Sequence, residues 1–196
     1  MVKVKICGLS RAQDIAAVNR ILPDYVGFVF AESRRKISVE KAAEFKEKLD
    51  PDVAAVGVFV DEEIEIIADI FKKGIIDIVQ LHGGESDDYI KRLKENCGCP
   101  VIKAVRVDSI LPDLPLEADY LLFDSIVAGS GQRLNWSLIT GIEKPFFLAG
   151  GLSAGNVKIA IEKTKPFAVD VSSGVETNGV KDSGKIRNFT NFARKA

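Results

Sequence analysis

Val2-Lys3-Val4-Lys5-Ile6-Cys7-Gly8-Leu9-Ser10 begins as a β-branched run alternating with lysines, reaches a thiol beside a glycine, and then changes period. From Ser10 to Ile21 the apolar positions recur at helical spacing, so the segment reads as a strand, a loop and a helix. The same unit returns along the chain. Strands are expected at Val2 to Ile6, Tyr25 to Phe30, Ala54 to Val60, Ile76 to Leu81, Val101 to Val105, Tyr120 to Phe123, Phe146 to Leu148 and Phe167 to Val171. Helices are expected at Ser10 to Ile21, Ser38 to Leu49, Glu62 to Lys73, Ser86 to Asn96, Ser153 to Lys163 and Ser183 to Arg194. Several of these open on serine or acidic residues able to cap free backbone N–H groups. The fifth connection, Asp108 to Asp119, carries Pro112 and Pro115 and has room for little helix, and the sixth, Asn135 to Ile142, is short.

Eight strand-first units in 196 residues predict a compact (β/α)8 TIM barrel, one α/β domain running from Met1 to Ala196. A doubly wound open sheet shares the alternation and differs in closure. The barrel is favoured because polar, glycine-rich and ionisable residues follow almost every strand, as they do when eight loops converge on one face. An open sheet would gather them at one switch point.

The chain is 46% hydrophobic and 28% charged, enough apolar material for one buried core. A formal net charge of -1, with no long basic run, argues against nucleic acid or an anionic membrane surface as a partner. No apolar run approaches the roughly 20 residues that cross a bilayer, and the start turns polar before a signal-peptide core forms, so a cytoplasmic protein is expected. Cys7, Cys97 and Cys99 have no disulfide-framework spacing, and with one histidine in the chain no metal site is expected. Oligomeric state is open at this level, with a slight lean to a monomer over a homodimer.

Chemistry-bearing residues fall at strand ends. Cys7 stands where barrel active sites form, and two roles fit it: a small packing residue or a reactive thiol. Asp124 ends the apolar run Tyr120 to Phe123, as a turn aspartate or as a site carboxylate. Gly150-Gly151 after strand seven and Ser172-Ser173-Gly174 after strand eight are turns whose backbone N–H groups suit a phosphate; such cradles are common in the last two loops of barrels. Gly129-Ser130-Gly131 could fold over a ligand. Arg35 lies in the basic cluster Ser33 to Lys36, either a solvated loop or a carboxylate ligand, and Gln80 and His82 follow strand four.

Taken in order, these segments resemble the phosphoribosylanthranilate isomerases of tryptophan biosynthesis from Lys3 to about Lys185. The likeness is carried by Lys5-Ile6-Cys7-Gly8-Leu9, Ser33-Arg34-Arg35, Gln80-Leu81-His82-Gly83, Asp124, Gly129-Ser130-Gly131, Gly150-Gly151-Leu152 and Asp170-Val171-Ser172-Ser173-Gly174-Val175-Glu176. The flap departs from the family pattern: Ala128 stands where many members have a second glycine, and Asn135 where many have aspartate before Trp136.

The resemblance implies an Amadori rearrangement of a phosphorylated sugar amine with neither metal nor organic cofactor. It makes Asp124 the general acid that opens the sugar ring and Cys7 the general base at C2'. It makes Arg35 the partner of the anthranilate carboxylate, and sets Asp170 against the anthranilate amine or a bound water. Gly150, Gly151, Ser173 and Gly174 become the phosphate cradle, Gly131 its cover, and Gln80 and His82 pocket lining.

Overall fold

The computed structural model describes residues 1–125, 135–139 and 141–196. Eight parallel strands close into a barrel: β1 (Lys3–Cys7), β2 (Tyr25–Val29), β3 (Ala54–Phe59), β4 (Ile78–Leu81), β5 (Val101–Val107), β6 (Tyr120–Ser125), β7 (Phe146–Leu148) and β8 (Ala168–Val171). Closure is made by β1, which pairs with β2 on one side and with β8 on the other, Lys5 opposite Asp170. That pairing excludes the open sheet. Among the described residues six helices follow strands: α1 (Ala12–Ile21), α2 (Val39–Lys48), α3 (Ile64–Lys72), α4 (Asp87–Cys97), α5 (Val157–Thr164) and α6 (Ser183–Arg194). As the prolines require, no helix forms between β5 and β6, and Trp136–Leu138 is a single 3-10 turn.

Helix starts show which caps act. Ser38 and Ser86 accept from the N–H groups of Lys41 and Tyr89, as serine at these positions should. Elsewhere the helix begins later than the pattern suggests. Asp14 takes the N–H groups of Ser10 and Arg11 at 3.0 Å each, so α1 opens at Ala12. Asn156 takes that of Ser153, so α5 opens at Val157. Helix α6 keeps its expected bounds, with Asp182 as its cap. A short hairpin escaped the periodicity altogether: β9 (Glu176–Thr177) and β10 (Val180–Lys181) meet across Asn178-Gly179, both with positive φ. Two-residue strands are too short to show alternation, although Asn-Gly is the usual two-residue hairpin turn.

Apolar residues form two layers, set by the alternation of side chains along each strand. Val4 and Ile6 of β1 face outward and pack with Ile15 and Val18 of α1 and Ile186 and Phe189 of α6. The inward layer holds Val56, Ile102, Leu122, Phe147 and Ala168, with Tyr25, Tyr120 and Phe167 edge-on to Phe147 at ring separations of 5.4 to 5.9 Å. These rings plug the N-terminal end. Three aspartates at that end, Asp24, Asp77 and Asp119, each precede an even strand and accept from a backbone N–H of the odd strand before it (Val4, Ala55 and Val101), which fixes the stagger. At the other end the inward apolar layer thins to Cys7, Val29 and Val58, and a cavity opens. Among the described residues no helix is long and apolar enough to cross a membrane.

Candidate active site

The cavity, about 330 Å³, sits at the C-terminal strand ends. Cys7, Arg35, Gln80, His82, Asp124, Asp170, Gly150, Gly151, Ser173 and Gly174 all line it, so residues spread over most of the sequence meet at one place. Gly131 and the flap around it lie outside the described residues.

Cys7 is the last residue of β1 and is 9% exposed. Its sulfur lies against β2 at Gly27, where a Cβ would stand 2.7 Å from Sγ; glycine there is what leaves the thiol room. Burial pushes the Cys7 thiol above its ordinary value, while the charges of Lys5 and Lys181 pull it down and that of Asp170 pushes it further up. The backbone at Cys7 is tied to the far loop, because its carbonyl accepts from the Ser172 hydroxyl at 3.0 Å.

Asp124 comes from β6, three strands round the ring from β1 by way of β7 and β8. Its Oδ2 lies 3.6 Å from His82 Nε2, and His82 Nδ1 meets Gln80 Nε2 at 2.9 Å. Gln80 and His82, separated by one residue at the end of β4, therefore hold one imidazole between an amide and the carboxylate. Thiol and carboxylate share one cavity with an apolar floor between them, an arrangement suited to moving two protons on one small molecule.

The basic cluster after β2 is organised by a residue that periodicity did not mark. Glu176, at the start of the hairpin, accepts from Arg35 Nε at 2.7 Å and Arg35 Nη2 at 3.2 Å, from Arg34 Nη2 at 2.6 Å and from Lys181 Nζ at 2.8 Å. Burial alone would raise its carboxyl, but Arg35 and Lys181 together hold it down at about 2. One edge of the Arg35 fork is thus already engaged, and a second carboxylate would meet the edge that carries Nη1. Lys181 also donates to the Ser172 carbonyl at 2.9 Å and to its hydroxyl at 3.2 Å, joining the hairpin to the strand-eight turn.

The two glycine-bearing turns touch. A Cβ on Gly174 would stand 1.9 Å from the Leu152 carbonyl oxygen, so only glycine lets the loops after β7 and β8 close up at this point. Gly150, Gly151, Ser173 and Gly174 consequently form one continuous stretch of cavity wall. Lys5, fully buried beneath Cys7 and 3.1 Å from Asp170, belongs to the same region, and sequence reasoning gave it no role. Its signal was a lysine at an inward strand position, where a barrel interior normally takes an apolar side chain.

Known proteins share this architecture. The family model for N-(5'phosphoribosyl)anthranilate (PRA) isomerase matches residues 4–192. An N-(5'-phosphoribosyl)anthranilate isomerase from Endomicrobium trichonymphae is 48% identical over 190 residues, covering 95% of each chain. Among solved structures, a phosphoribosyl anthranilate isomerase in complex with reduced 1-(o-carboxyphenylamino)-1-deoxyribulose 5-phosphate superposes with a TM-score of 0.85 at 36% identity over all of both chains. Monomers generated from the dimeric phosphoribosylanthranilate isomerase of Thermotoga maritima give 0.85 at 37%, again over the whole of both.

Proposed function

The chain belongs to the N-(5'-phosphoribosyl)anthranilate isomerase family, and from that premise we propose that it converts N-(5-phosphoribosyl)anthranilate to 1-(2-carboxyphenylamino)-1-deoxyribulose 5-phosphate in tryptophan biosynthesis. The observation that carries this is the convergence of Cys7 and Asp124 on a cavity walled by Arg35 and by the two glycine turns. Asp124 gives its proton to the furanose ring oxygen; the C1'–O bond breaks and the nitrogen lone pair makes an iminium ion. Cys7 thiolate takes the C2' proton, leaving an enolamine that gains a proton at C1' and loses one from the C2' hydroxyl to become the ketone. Atoms balance within the substrate, and the steps call on no metal or organic cofactor.

The same cavity separates the ends of the substrate by charge. Gly150, Gly151, Ser173 and Gly174 present backbone groups to the phosphate, with Gly131 as its cover, and Arg35 receives the anthranilate carboxylate on the edge that Glu176 leaves open. Asp170 faces the substrate amine or a water, with Gln80 and His82 lining the sugar. Every one of these groups comes from a single barrel, so one chain suffices for turnover. We place the working form as a cytoplasmic monomer; sedimentation near the chain mass of 21.3 kDa is expected, and twice that mass would put it with its Thermotoga relative. The direct test of the function is the loss of substrate fluorescence when purified protein meets freshly made N-(5-phosphoribosyl)anthranilate. A rate no faster than the uncatalysed one refutes it.

Arg35→Met is expected to raise KM and leave kcat nearly unchanged, because the carboxylate is held alike in ground and transition states. Loss of one charge-assisted contact costs about 1.5–3 kcal/mol, roughly 10- to 150-fold in KM. Glu176 keeps Arg34 and Lys181 in the variant, so the loop retains its anchor. A substrate analogue without the carboxylate should react equally with both proteins; an equal penalty on that analogue would move Arg35 away from the carboxylate.

A further inference from the structure

Lys5 is 0% exposed, and its ammonium finds no hydrogen-bond partner among the described residues. Asp170 Oδ1 lies 3.1 Å away, close enough for an ion pair but at angles that fall short of a hydrogen bond. An ammonium has three donors, and burying it with its donors unspent is tolerated only where an anion repays the lost hydration. Asp170 is itself buried and has one oxygen equally unpartnered.

The geometry supplies a second anion. Lys5 and Cys7 are two residues apart on β1 and so face the same side of the sheet, the barrel interior, with Lys5 directly opposite Asp170 across the β1–β8 pairing. Burial works against the Lys5 charge, but Asp170 and Cys7 outweigh it and keep the ammonium above the usual lysine range. Toward Cys7, Lys5 exerts the largest influence favouring the charged sulfur, ahead of Lys181. The other charges bordering the thiol's cavity are Glu176 and Arg35, which hold each other, Glu32, which pairs with Lys36, and Asp124 and His82 in the same wall. Lys181 is already shared between Glu176 and Ser172, whereas Lys5 lies on the same strand face as the thiol and points its ammonium into the interior beside it.

We propose that Lys5 is a positioning residue for the isomerisation: its buried ammonium, aimed by Asp170, is the counter-ion that receives the Cys7 thiolate when the sulfur is unprotonated. The role rests on Cys7 being the base, and it explains a lysine where an apolar residue would pack more cheaply. A compact ammonium suits it better than a planar guanidinium, since one point charge must serve two anions on different strands.

The test is the pH dependence of Cys7 alkylation by iodoacetamide, in which sulfur displaces iodide and only the thiolate reacts at a useful rate. It is read at the Cys7 peptide by mass spectrometry in wild type, Lys5→Met and the double variant Lys5→Met/Asp170→Asn. Lys5→Met should raise the midpoint by about one pH unit or more, lowering the rate at pH 7 about tenfold. The double variant also loses the opposing carboxylate and should rise by less. It contains neither half of the ion pair, so it decides the matter if Lys5→Met fails to fold. In Lys5→Met the rising limb of the kcat profile should move with the alkylation midpoint while KM stays within a few-fold, which a merely structural lysine would not produce; in the double variant, which also loses the substrate-facing Asp170 carboxylate, only the limb and the midpoint are compared. A midpoint unmoved from wild type overturns the proposal. A shifted midpoint with an unshifted kcat limb supports Lys5 as counter-ion to the thiolate and overturns Cys7 as the base.

Discussion

Cys7→Ser is expected to remove turnover, by at least the factor of about 10²–10⁴ that a positioned base contributes, with the barrel folded and the product bound. A hydroxyl occupies less space than a thiol, and the one tight contact of the sulfur, against Gly27, is relieved rather than worsened. What is lost is basicity of the right strength, because serine has no accessible anion near neutral pH. Burial places the wild-type thiol above its ordinary value, so at pH 7 only a minor fraction is thiolate. The active form is the deprotonated one; wild-type kcat/KM should therefore climb as pH rises toward the Cys7 value and fall away below it. The residual rate of the serine variant should lack that limb. Binding of a reduced product analogue, measured by fluorescence titration, should agree between the two proteins within a few-fold. Turnover of the serine variant within a few-fold of wild type would remove Cys7 from the mechanism.

The barrel was legible because its strands are buried on both faces and its helices on one, so the two periods stand out along the chain. Apart from the short β9–β10 hairpin, errors stayed at element ends, where caps decide. Asp14 and Asn156 reach back to N–H groups ahead of their helices, a contact that hydrophobic spacing does not encode. Strand β5 runs on to Val107, past the expected end at Val105, because pairing with Asp124 and Ser125 of β6 continues beyond the apolar run.

The site divides differently. Cys7, Asp124 and the glycine turns were visible as unusual residues at strand ends, and family resemblance sharpened their roles. Glu176 and Lys5 act through partners far away in sequence, 141 residues from Arg35 to Glu176 and 165 from Lys5 to Asp170, and hydrophobic spacing does not signal such pairs; Lys181 holds Glu176 and Ser172, five and nine residues away, across a hairpin too short to show alternation. Arg35 shows the consequence. As a loose basic loop it offered a whole guanidinium fork, whereas in the folded protein Glu176 already holds Nε and Nη2, orienting the group before any ligand arrives. That engagement lowers the ordering cost of binding a carboxylate. Glu176, held at about 2, keeps its charge throughout the working pH range, and the clasp should loosen only as pH falls from the usual carboxylate range toward that value.

Asp124→Asn should lower kcat by about 10²-fold or more while substrate and product affinities change little. The amide matches the carboxyl in shape and can remain beside His82 Nε2, 3.6 Å away, so the cavity wall should hold its form. It cannot supply a proton to the ring oxygen, and a furanose that stays closed offers Cys7 no acidified C2' hydrogen to remove. The two residues therefore act in sequence on one molecule, and their losses should not multiply. Once ring opening has failed, removing the base has little left to subtract, so the Cys7→Ser/Asp124→Asn double variant should be nearly as active as the slower single variant. Because the carboxyl interaction is made in the transition state and not in the ground state, kcat and kcat/KM should fall together. A rise in KM with kcat standing would mean that Asp124 binds the sugar and that another group, His82 first among the cavity residues, delivers the proton. Full multiplication of the two single losses in the double variant would show that Cys7 and Asp124 act in one and the same transition state, and would break the order of ring opening before proton abstraction.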